Sequence, residues 1–258
     1  MPWCFPSAVP SGDAINDSVA MEWYQVKDDQ GRVVRAPAAV IVHESGSGMT
    51  VGRLIARGLR MQGVHTFMIQ LPYYGVRKGP QGKPTGERVI TALRQAIADV
   101  RRAYDAVAVI PAVDKDRISL QGTSLGGFVT ATTAGLDHAY HRVFILLAGG
   151  DLYGVLMEGK QDAANMRKEL SKYGVSEERI KETLGTIEPL RLAHRIDAKS
   201  TWLFSGQFDD VVPPRSSALL AEAAGLDESH HVRMLANHYS GVIFLPHVLE
   251  SMREIMTQ

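Results

Sequence analysis

The pentapeptide at 122–126, Gly-Thr-Ser-Leu-Gly, constrains the fold of this chain more than any other stretch. It follows a β-branched and apolar run at 118–120 and leads into a helix-like segment, so it joins a predicted strand to a predicted helix. The G-x-S-x-G spacing in that context is typical of a sharp turn that holds a serine hydroxyl clear of the backbone. The sequence therefore predicts that Ser124 is presented as a nucleophile, close to the N-terminal amides of a helix.

Strand-like and helix-like segments alternate along most of the chain. Apolar runs that predict strands lie at 38–42, 64–71, 118–120, 143–147, 201–204 and 231–235, and helical patterns lie at 49–62, 89–104, after 124, at 215–224 and at 245–256. Two early strands, at 19–27 and 32–35, are predicted to form a hairpin around 28–31, and the Gly-, Pro- and Lys-rich residues 72–86 are predicted to form an exposed loop. This alternation predicts an α/β fold with a mainly parallel central sheet and helices on both faces.

The length of the chain predicts a single domain over residues 1–258. Residues 151–195 break the alternation: they are charged, helical in pattern and contain no strand-like run, so we expect a small helical cap inserted over one end of the sheet. Lys+Arg and Asp+Glu both number 28, which gives no reason to expect a nucleic-acid partner. No apolar run approaches the ~20 residues that a membrane span requires.

The N-terminal residues predict the compartment. The chain begins Met-Pro-Trp-Cys-Phe-Pro, without a basic segment followed by a long apolar one, so no signal peptide is predicted. We expect a cytoplasmic protein, and a processed secreted or periplasmic form stays open as an alternative. Cys4 is the one cysteine, which excludes an internal disulfide and a cysteine-based zinc site.

A nucleophilic serine needs two partners. Its hydroxyl becomes reactive when a neutral histidine takes its proton, and a carboxylate orients that histidine. After a serine on such a turn, the expected chain order is serine, acid, histidine. Asp209 and Asp210 directly follow a predicted strand, and His238 lies in a loop after the last one, whereas His247 falls inside the closing helix. The residues therefore predict that Ser124 pairs with His238 and that Asp209 or Asp210 orients the imidazole.

Three ordered motifs make the chain similar to α/β-hydrolases, in particular to the branch of dienelactone hydrolases and prolyl-oligopeptidase-like esterases. They are Gly-x-Ser-x-Gly-Gly at 122–127, Gly-x-x-Asp-x-x-Val-Pro at 206–213, and a histidine after the last strand. The register of the second motif selects Asp209 over Asp210. The resemblance covers roughly residues 38–250 and implies a sheet of about eight strands.

The resemblance also assigns a role to the glycine-rich loop at 43–48. In such proteins, the amide after a His-Gly or His-Glu pair joins the amide after the nucleophile to bind the oxyanion. The matching groups here are the backbone N–H groups of Ser45 and Leu125. His43 is expected to be structural, with hydrogen bonds to the backbone that shape this loop.

Three further residues are candidates for the substrate pocket. Glu44 resembles the glutamate beside the nucleophile of dienelactone hydrolases, although those proteins use cysteine where this chain has serine. Tyr73 and Tyr74 follow the fourth strand at the same end of the sheet, and a plain surface-loop role is the alternative for them.

The resemblance implies a serine hydrolase that forms an acyl-enzyme and needs no metal or organic cofactor. Oligopeptidases of this branch carry a large additional domain, for which 258 residues leave no room, so small-molecule carboxylic esters are the predicted substrates. A peptidase or amidase is the alternative, followed by a catalytically silent binding protein on the same fold. The glycines at 46–52 could open a nucleotide-binding loop, but their spacing is G-x-G-x-x-x-G and no acidic residue ends the next strand.

Overall fold

The computed structural model describes residues 2–80, 82, 84, 88–172, 174 and 176–258. Eight strands form one sheet within these ranges: β1 (Trp3–Pro6), β2 (Ser18–Tyr24), β3 (Ala36–Val42), β4 (His65–Ile69), β5 (Val113–Thr123), β6 (Val143–Leu146), β7 (Thr201–Gly206) and β8 (His231–Met234). The α-helices are α1 (Thr50–Met61), α2 (Arg88–Ala108), α3 (Leu125–Leu136), α4 (Leu152–Glu158), α5 (Asp162–Lys172), α6 (Glu177–Gly185), α7 (Leu190–Ala193), α8 (Pro214–Ala223) and α9 (Leu245–Thr257). Short 3₁₀ helices lie at Gly75–Arg77, Ala198–Ser200 and Ser240–Phe244.

The sheet is mainly parallel, which confirms the predicted fold class. Its strand order is β1-β2-β4-β3-β5-β6-β7-β8; every pair from β4 to β8 is parallel, and β2 pairs antiparallel with β1 and β4. Alternate residues of β3 enter two different core clusters, because successive side chains of a strand point to opposite faces. Helices α2, α3 and α8 contribute to one cluster, and α1 and α9 to the other. The continuous apolar run at 38–42 is therefore explained by a strand that is buried on both sides.

The predicted early hairpin is wrong apart from its turn. Residues 19–27 and 32–35 share one isolated bridge, between Lys27 and Val33, while β2 pairs with β1 and β4 instead. These two partners bury Val19, Ala20 and Met21 completely, which a two-stranded ribbon could not do. The prediction missed β1, a four-residue edge strand that ends in a proline.

The loop at 72–86 is only partly exposed. Tyr73 and Arg77 are buried, and residues 81, 83 and 85–87 lie outside the described residues. Arg77 is held by an ion pair to Asp99 of α2, with Nη2 2.8 Å from Oδ2 and both side chains fully buried. Its other nitrogens donate to the carbonyls of Asn16 and Gln70, so this one side chain ties the loop to α2 and to the N-terminal region.

We expect Arg77→Met to lower the free energy of unfolding by about 3–5 kcal/mol, because the Asp99 carboxylate would stay buried without its cation. Urea denaturation measures the loss. The matched control is Arg32→Met, which breaks the ion pair with Asp28; the Arg32 side chain is 70% exposed, so the expected cost is below about 1 kcal/mol. Equal costs for the two variants would contradict a structural role for the buried pair.

Candidate active site

Ser124 occupies a strained turn between β5 and α3. Its backbone lies at φ 53° and ψ −116°, a conformation that residues other than glycine rarely adopt. The turn packs tightly on both sides: a Cβ at Gly126 would lie 2.2 Å from the Val42 carbonyl oxygen, and one at Gly122 would lie 2.2 Å from the Gly126 oxygen. Both glycines of the motif are therefore required by the close approach of α3 to β3 and β5.

Ser124, His238 and Asp209 form a continuous hydrogen-bonded chain. The Ser124 Oγ lies 2.9 Å from His238 Nε2, and His238 Nδ1 lies 2.7 Å from Asp209 Oδ2. The other oxygen of Asp209 accepts from the N–H groups of Val211 and Val212 at 2.9 and 2.8 Å. Because a carboxylate accepts from Nδ1, the imidazole proton is assigned to Nδ1, and Nε2 is left to accept from the serine hydroxyl.

The three residues reach each other because they follow the carboxyl ends of three parallel strands, β5, β7 and β8. The alternatives lie elsewhere. Asp210 is partly exposed, with its carboxylate 3.7 Å from the Lys160 ammonium, and His247 is an exposed residue of α9. Among the candidates that the sequence offered, His238 contacts Ser124 and Asp209 contacts His238.

Ser45 and Leu125, whose backbone N–H groups are the predicted oxyanion donors, border the same cavity as Ser124. Neither N–H group donates to an acceptor within the described residues. Two hydrogen bonds hold Ser45. The Tyr74 hydroxyl donates to the Ser45 carbonyl oxygen at 2.9 Å, and the Ser45 Oγ donates to Asp162 of α5 at 3.1 Å. These contacts position the loop without using its amide.

His43 shapes this loop by hydrogen bonds to the backbone, as predicted. It is fully buried; its Nδ1 donates to the Glu44 carbonyl at 2.6 Å, and its Nε2 accepts from the Leu71 N–H at 3.0 Å. Burial lowers the pKa of His43 to about 4, so the imidazole is neutral at pH 7. Protonation would place a hydrogen on Nε2, which now accepts from Leu71.

The pocket role predicted for Glu44, Tyr73 and Tyr74 gains no support from their positions. Glu44 accepts from the N–H groups of Val51 and Gly52, so its carboxylate lies at the N-terminus of α1. Tyr73 is buried, has a φ of 66°, and donates its backbone N–H to Asn16 Oδ1. The Tyr74 hydroxyl donates to the Ser45 carbonyl, as described above. None of the three is among the residues that line the cavity beside Ser124.

That cavity has a volume of about 200 Å³. Its walls are the apolar stripe of α2, the first two turns of α3, and helices α4, α5 and α6 between β6 and β7. The α2 stripe, which includes Leu93 and Ile97, was visible in the sequence. Its periodicity does not distinguish a helix face that packs on the sheet from one that borders a cavity.

Stability is expected to fall as the pH is lowered from 7 to 4.5. Burial lowers the pKa of His231 to about 4, as for His43, and Arg233 adds to the effect; the His231 Nε2 accepts from the Ser205 hydroxyl. Both histidines ionise more readily in the unfolded chain, near pH 6.5, so the unfolded state binds protons first as the pH falls. The stabilisation is complete above about pH 6.5 and is lost as the pH falls toward 4, by about 2 kcal/mol per histidine at pH 4.5.

Urea unfolding at pH 7.0 and 4.5 measures this difference. His231→Gln cannot titrate, so we expect its stability to change by about 2 kcal/mol less between the two pH values than that of the unaltered protein. An unchanged difference would show that His231 does not contribute to the acid sensitivity.

Together, the sheet and the serine turn define the α/β-hydrolase fold. A family model extends this result: the prolyl oligopeptidase family matches residues 93–243, so the chain belongs to that family of serine hydrolases. No curated protein sequence matches the chain at a significant level.

Solved structures with the same fold include both esterases and peptidases. An acetyl xylan esterase from Paenibacillus sp. R4 superposes with a TM-score of 0.71 at 19% identity, over 99% of this chain and 83% of that one. The α/β hydrolase GrgF from Penicillium sp. sh18 gives 0.70 at 14% identity, over 99% and 97%. A puromycin-hydrolyzing peptidase from Mycobacterium tuberculosis gives 0.70 at 17%, over 99% of this chain and 39% of that one. Similarity at these identities establishes the fold alone.

No helix in the described residues has both the length and the apolar character needed to cross a bilayer. The same part of the chain contains no group of three or more His, Cys, Asp or Glu side chains arranged to hold a metal ion.

Proposed function

We propose that the protein hydrolyses carboxylic esters, with Ser124 as nucleophile, His238 as general base and acid, and Asp209 as the group that orients the imidazole. The contact of 2.9 Å between Ser124 Oγ and His238 Nε2 carries the proposal, because it places a proton acceptor on a serine held in a strained turn. Family membership supports the same class of chemistry.

The reaction has two halves. Ser124 Oγ attacks the ester carbonyl while Nε2 of His238 takes the hydroxyl proton, and the N–H groups of Ser45 and Leu125 bind the oxyanion, each contributing about 2.7–4 kcal/mol. The imidazolium then gives its proton to the alcohol oxygen as the C–O bond breaks, which leaves an acyl-enzyme. Water, deprotonated by His238, attacks this ester, and the acid departs as the proton returns to Ser124.

The lining of the cavity favours esters over peptides. A bound peptide would bury N–H and C=O groups that need partners, at about 1–3 kcal/mol for each one left unpaired. Thr132 already donates to backbone carbonyls, and Asp162 accepts from Ser45. The other polar residues of the described lining are Ser45, Ser124, Arg179 and Thr183, and the rest are apolar, which suits a hydrocarbon group better than a peptide backbone.

We also propose that the chain is one hydrolase domain in which residues 151–195 form a cap over the site. Helices α4 to α6 supply one wall of the cavity, and Asp162 contacts the Ser45 loop across it. An ion pair between Lys160 and Asp210 joins the cap to the segment after β7 in which Asp209 also lies.

Covalent labelling tests the proposal. A fluorophosphonate probe is expected to modify Ser124, located by peptide mass spectrometry, and His238→Ala should abolish the labelling. Labelling at another serine, or none in protein shown to be folded, would contradict the assignment.

Turnover separates the two substrate classes. The kcat/KM of an unactivated methyl ester is compared with that of an N-terminally blocked peptide anilide. We expect the ester to be the better substrate, and a faster anilide would identify a peptidase.

A further inference from the structure

The cavity beside Ser124 is placed on one side of the candidate catalytic chain. Ser45, Ser124 and Leu125 border it, as do Val211 and Val212 just beyond Asp209, whereas His238 and Asp209 themselves do not. It extends from the nucleophile along α3 as far as Thr132, which is about 10 Å beyond Leu125 at the rise of an α-helix. The cavity therefore opens at the serine and extends along α3, and His238 lies outside its lining.

This placement decides which half of an ester enters the cavity. If the proposed function holds, the leaving alcohol oxygen must lie within hydrogen-bonding distance of His238 Nε2 to receive its proton. The alcohol therefore lies on the histidine side of the carbonyl carbon, and the acyl group points the other way. The acyl group is the part that meets the cavity.

The size of the cavity limits the length of the acyl group. An apolar cavity of about 150 Å³ holds benzene, which has six carbons, so 200 Å³ holds about eight by the same ratio. We propose that the protein is selective for esters of apolar carboxylic acids of about eight carbons, with the alcohol lying outside the cavity. This inference rests on the proposed function and adds the substrate class.

Three polar side chains in the lining already have partners. Thr132 Oγ1 donates to the carbonyls of Phe128 and Ile187, and the Asp162 carboxylate accepts from Ser45. Arg179, another residue of the lining, pairs with Glu182 at 2.8 Å. A second carboxylate at the far end of the acyl chain would lose its hydration and would have to compete with Glu182 for Arg179, so an acyl chain with an apolar end is preferred.

The first experiment compares two series of esters. In p-nitrophenyl esters of increasing acyl length, kcat/KM is expected to rise by roughly threefold per methylene up to about eight carbons and to fall beyond ten. In acetate esters of increasing alcohol length, kcat/KM should change less than threefold over the whole series. A maximum at acetate, or a steep rise with the length of the alcohol, would overturn the inference.

A third ester tests the effect of a polar end group at constant acyl length. The p-nitrophenyl monoester of octanedioic acid should react at least 100-fold more slowly than the octanoate, because its distal carboxylate would be buried. Equal or faster reaction would show that Arg179 receives the carboxylate, and the apolar assignment would fall.

Two variants in α6 are expected to change the optimal acyl length in opposite directions. Thr183→Phe adds four heavy atoms to the lining and should shift the optimum to about four carbons, whereas Leu184→Ala removes three and should shift it to about eleven. Met157→Ala, an exposed residue of α4 outside the lining, is the control and should keep the original optimum. Circular dichroism and thermal unfolding establish that each variant folds, and the Leu184 variant decides the outcome if Thr183→Phe does not. An optimum that stays at eight carbons in the folded Leu184 variant would overturn the inference.

The failure of this inference is distinguishable from failure of the proposed function. Fluorophosphonate labelling of Ser124 does not depend on acyl length. Labelled protein without a preference for octanoate would refute only the chain-length inference, whereas unlabelled and inactive folded protein would refute the proposed function as well.

Discussion

Ser124→Ala is expected to lower kcat for ester hydrolysis by roughly 10⁵-fold while leaving the fold intact. The hydroxyl is the atom that forms the acyl-enzyme, and alanine offers His238 nothing to deprotonate. Alanine can occupy the same turn, since the strain at φ 53° arises from the backbone and the packing of the two flanking glycines. Steady-state kinetics with a p-nitrophenyl ester measures the loss, and the thermal unfolding midpoint tests the fold.

A second serine on the same strand is the matched control. Ser119 is buried in β5, and its hydroxyl has no hydrogen-bond partner within the described residues. Ser119→Ala should therefore keep kcat within about twofold and leave stability unchanged or slightly raised, because an unsatisfied buried hydroxyl is removed. Retention of activity in Ser124→Ala, or an equal loss in both variants, would rule out Ser124 as the nucleophile.

Asp209→Asn should cost about 10⁴-fold in kcat through the tautomer of His238. The Asp209 Oδ1 atom accepts from two backbone N–H groups, of Val211 and Val212, so an asparagine would direct its oxygen to them and its NH₂ group to Nδ1. Nδ1 must then accept, which moves the imidazole proton to Nε2, the atom that has to accept from Ser124. The geometry is retained, but the base carries its proton on the wrong nitrogen.

The neighbouring residue again supplies the control. Asp210 is partly exposed and lies 3.7 Å from Lys160, so Asp210→Asn removes an exposed ion pair and should change kcat less than threefold. Comparison of kcat for the two variants, with ¹H NMR of the imidazole N–H in each, tests the assignment. A larger loss for Asp210→Asn would transfer the orienting role to that residue.

Much of the fold followed from local patterns because a strand buried on both faces has a recognisable composition. The runs at 38–42 and 143–147 correspond to β3 and β6, and the helical spacing at 49–62 corresponds to α1. The prediction of an early hairpin was wrong because the sequence shows where strands lie but not which strands pair with each other. Pairing of β2 with β4 depends on the burial of Met21 and its neighbours against residues about 48 positions away.

The surroundings of the site were less accessible to sequence reasoning. The sequence offers Glu44 as a candidate for the substrate pocket, and nothing in it indicates that the carboxylate contacts the N-terminal amides of α1. It leaves Tyr74 between a pocket role and a surface-loop role, and it does not indicate that the Tyr74 hydroxyl donates to the carbonyl of Ser45. Either contact depends on the angle at which a loop leaves its strand, and no local pattern encodes that angle.

The strand–turn–helix unit around Ser124 and the chain order of the residues that meet there can be inferred from the amino-acid sequence. Glycines at fixed offsets record a close approach between neighbouring segments of chain, and parallel strands bring their carboxyl ends to one edge of the sheet. The cavity cannot be located in this way, because its walls come from α2, α3 and the helices within 151–195. A helix face that packs on a sheet and one that borders a cavity are equally apolar in sequence. The difference lies in the distance between helices far apart in the chain, which depends on the packing of the whole molecule.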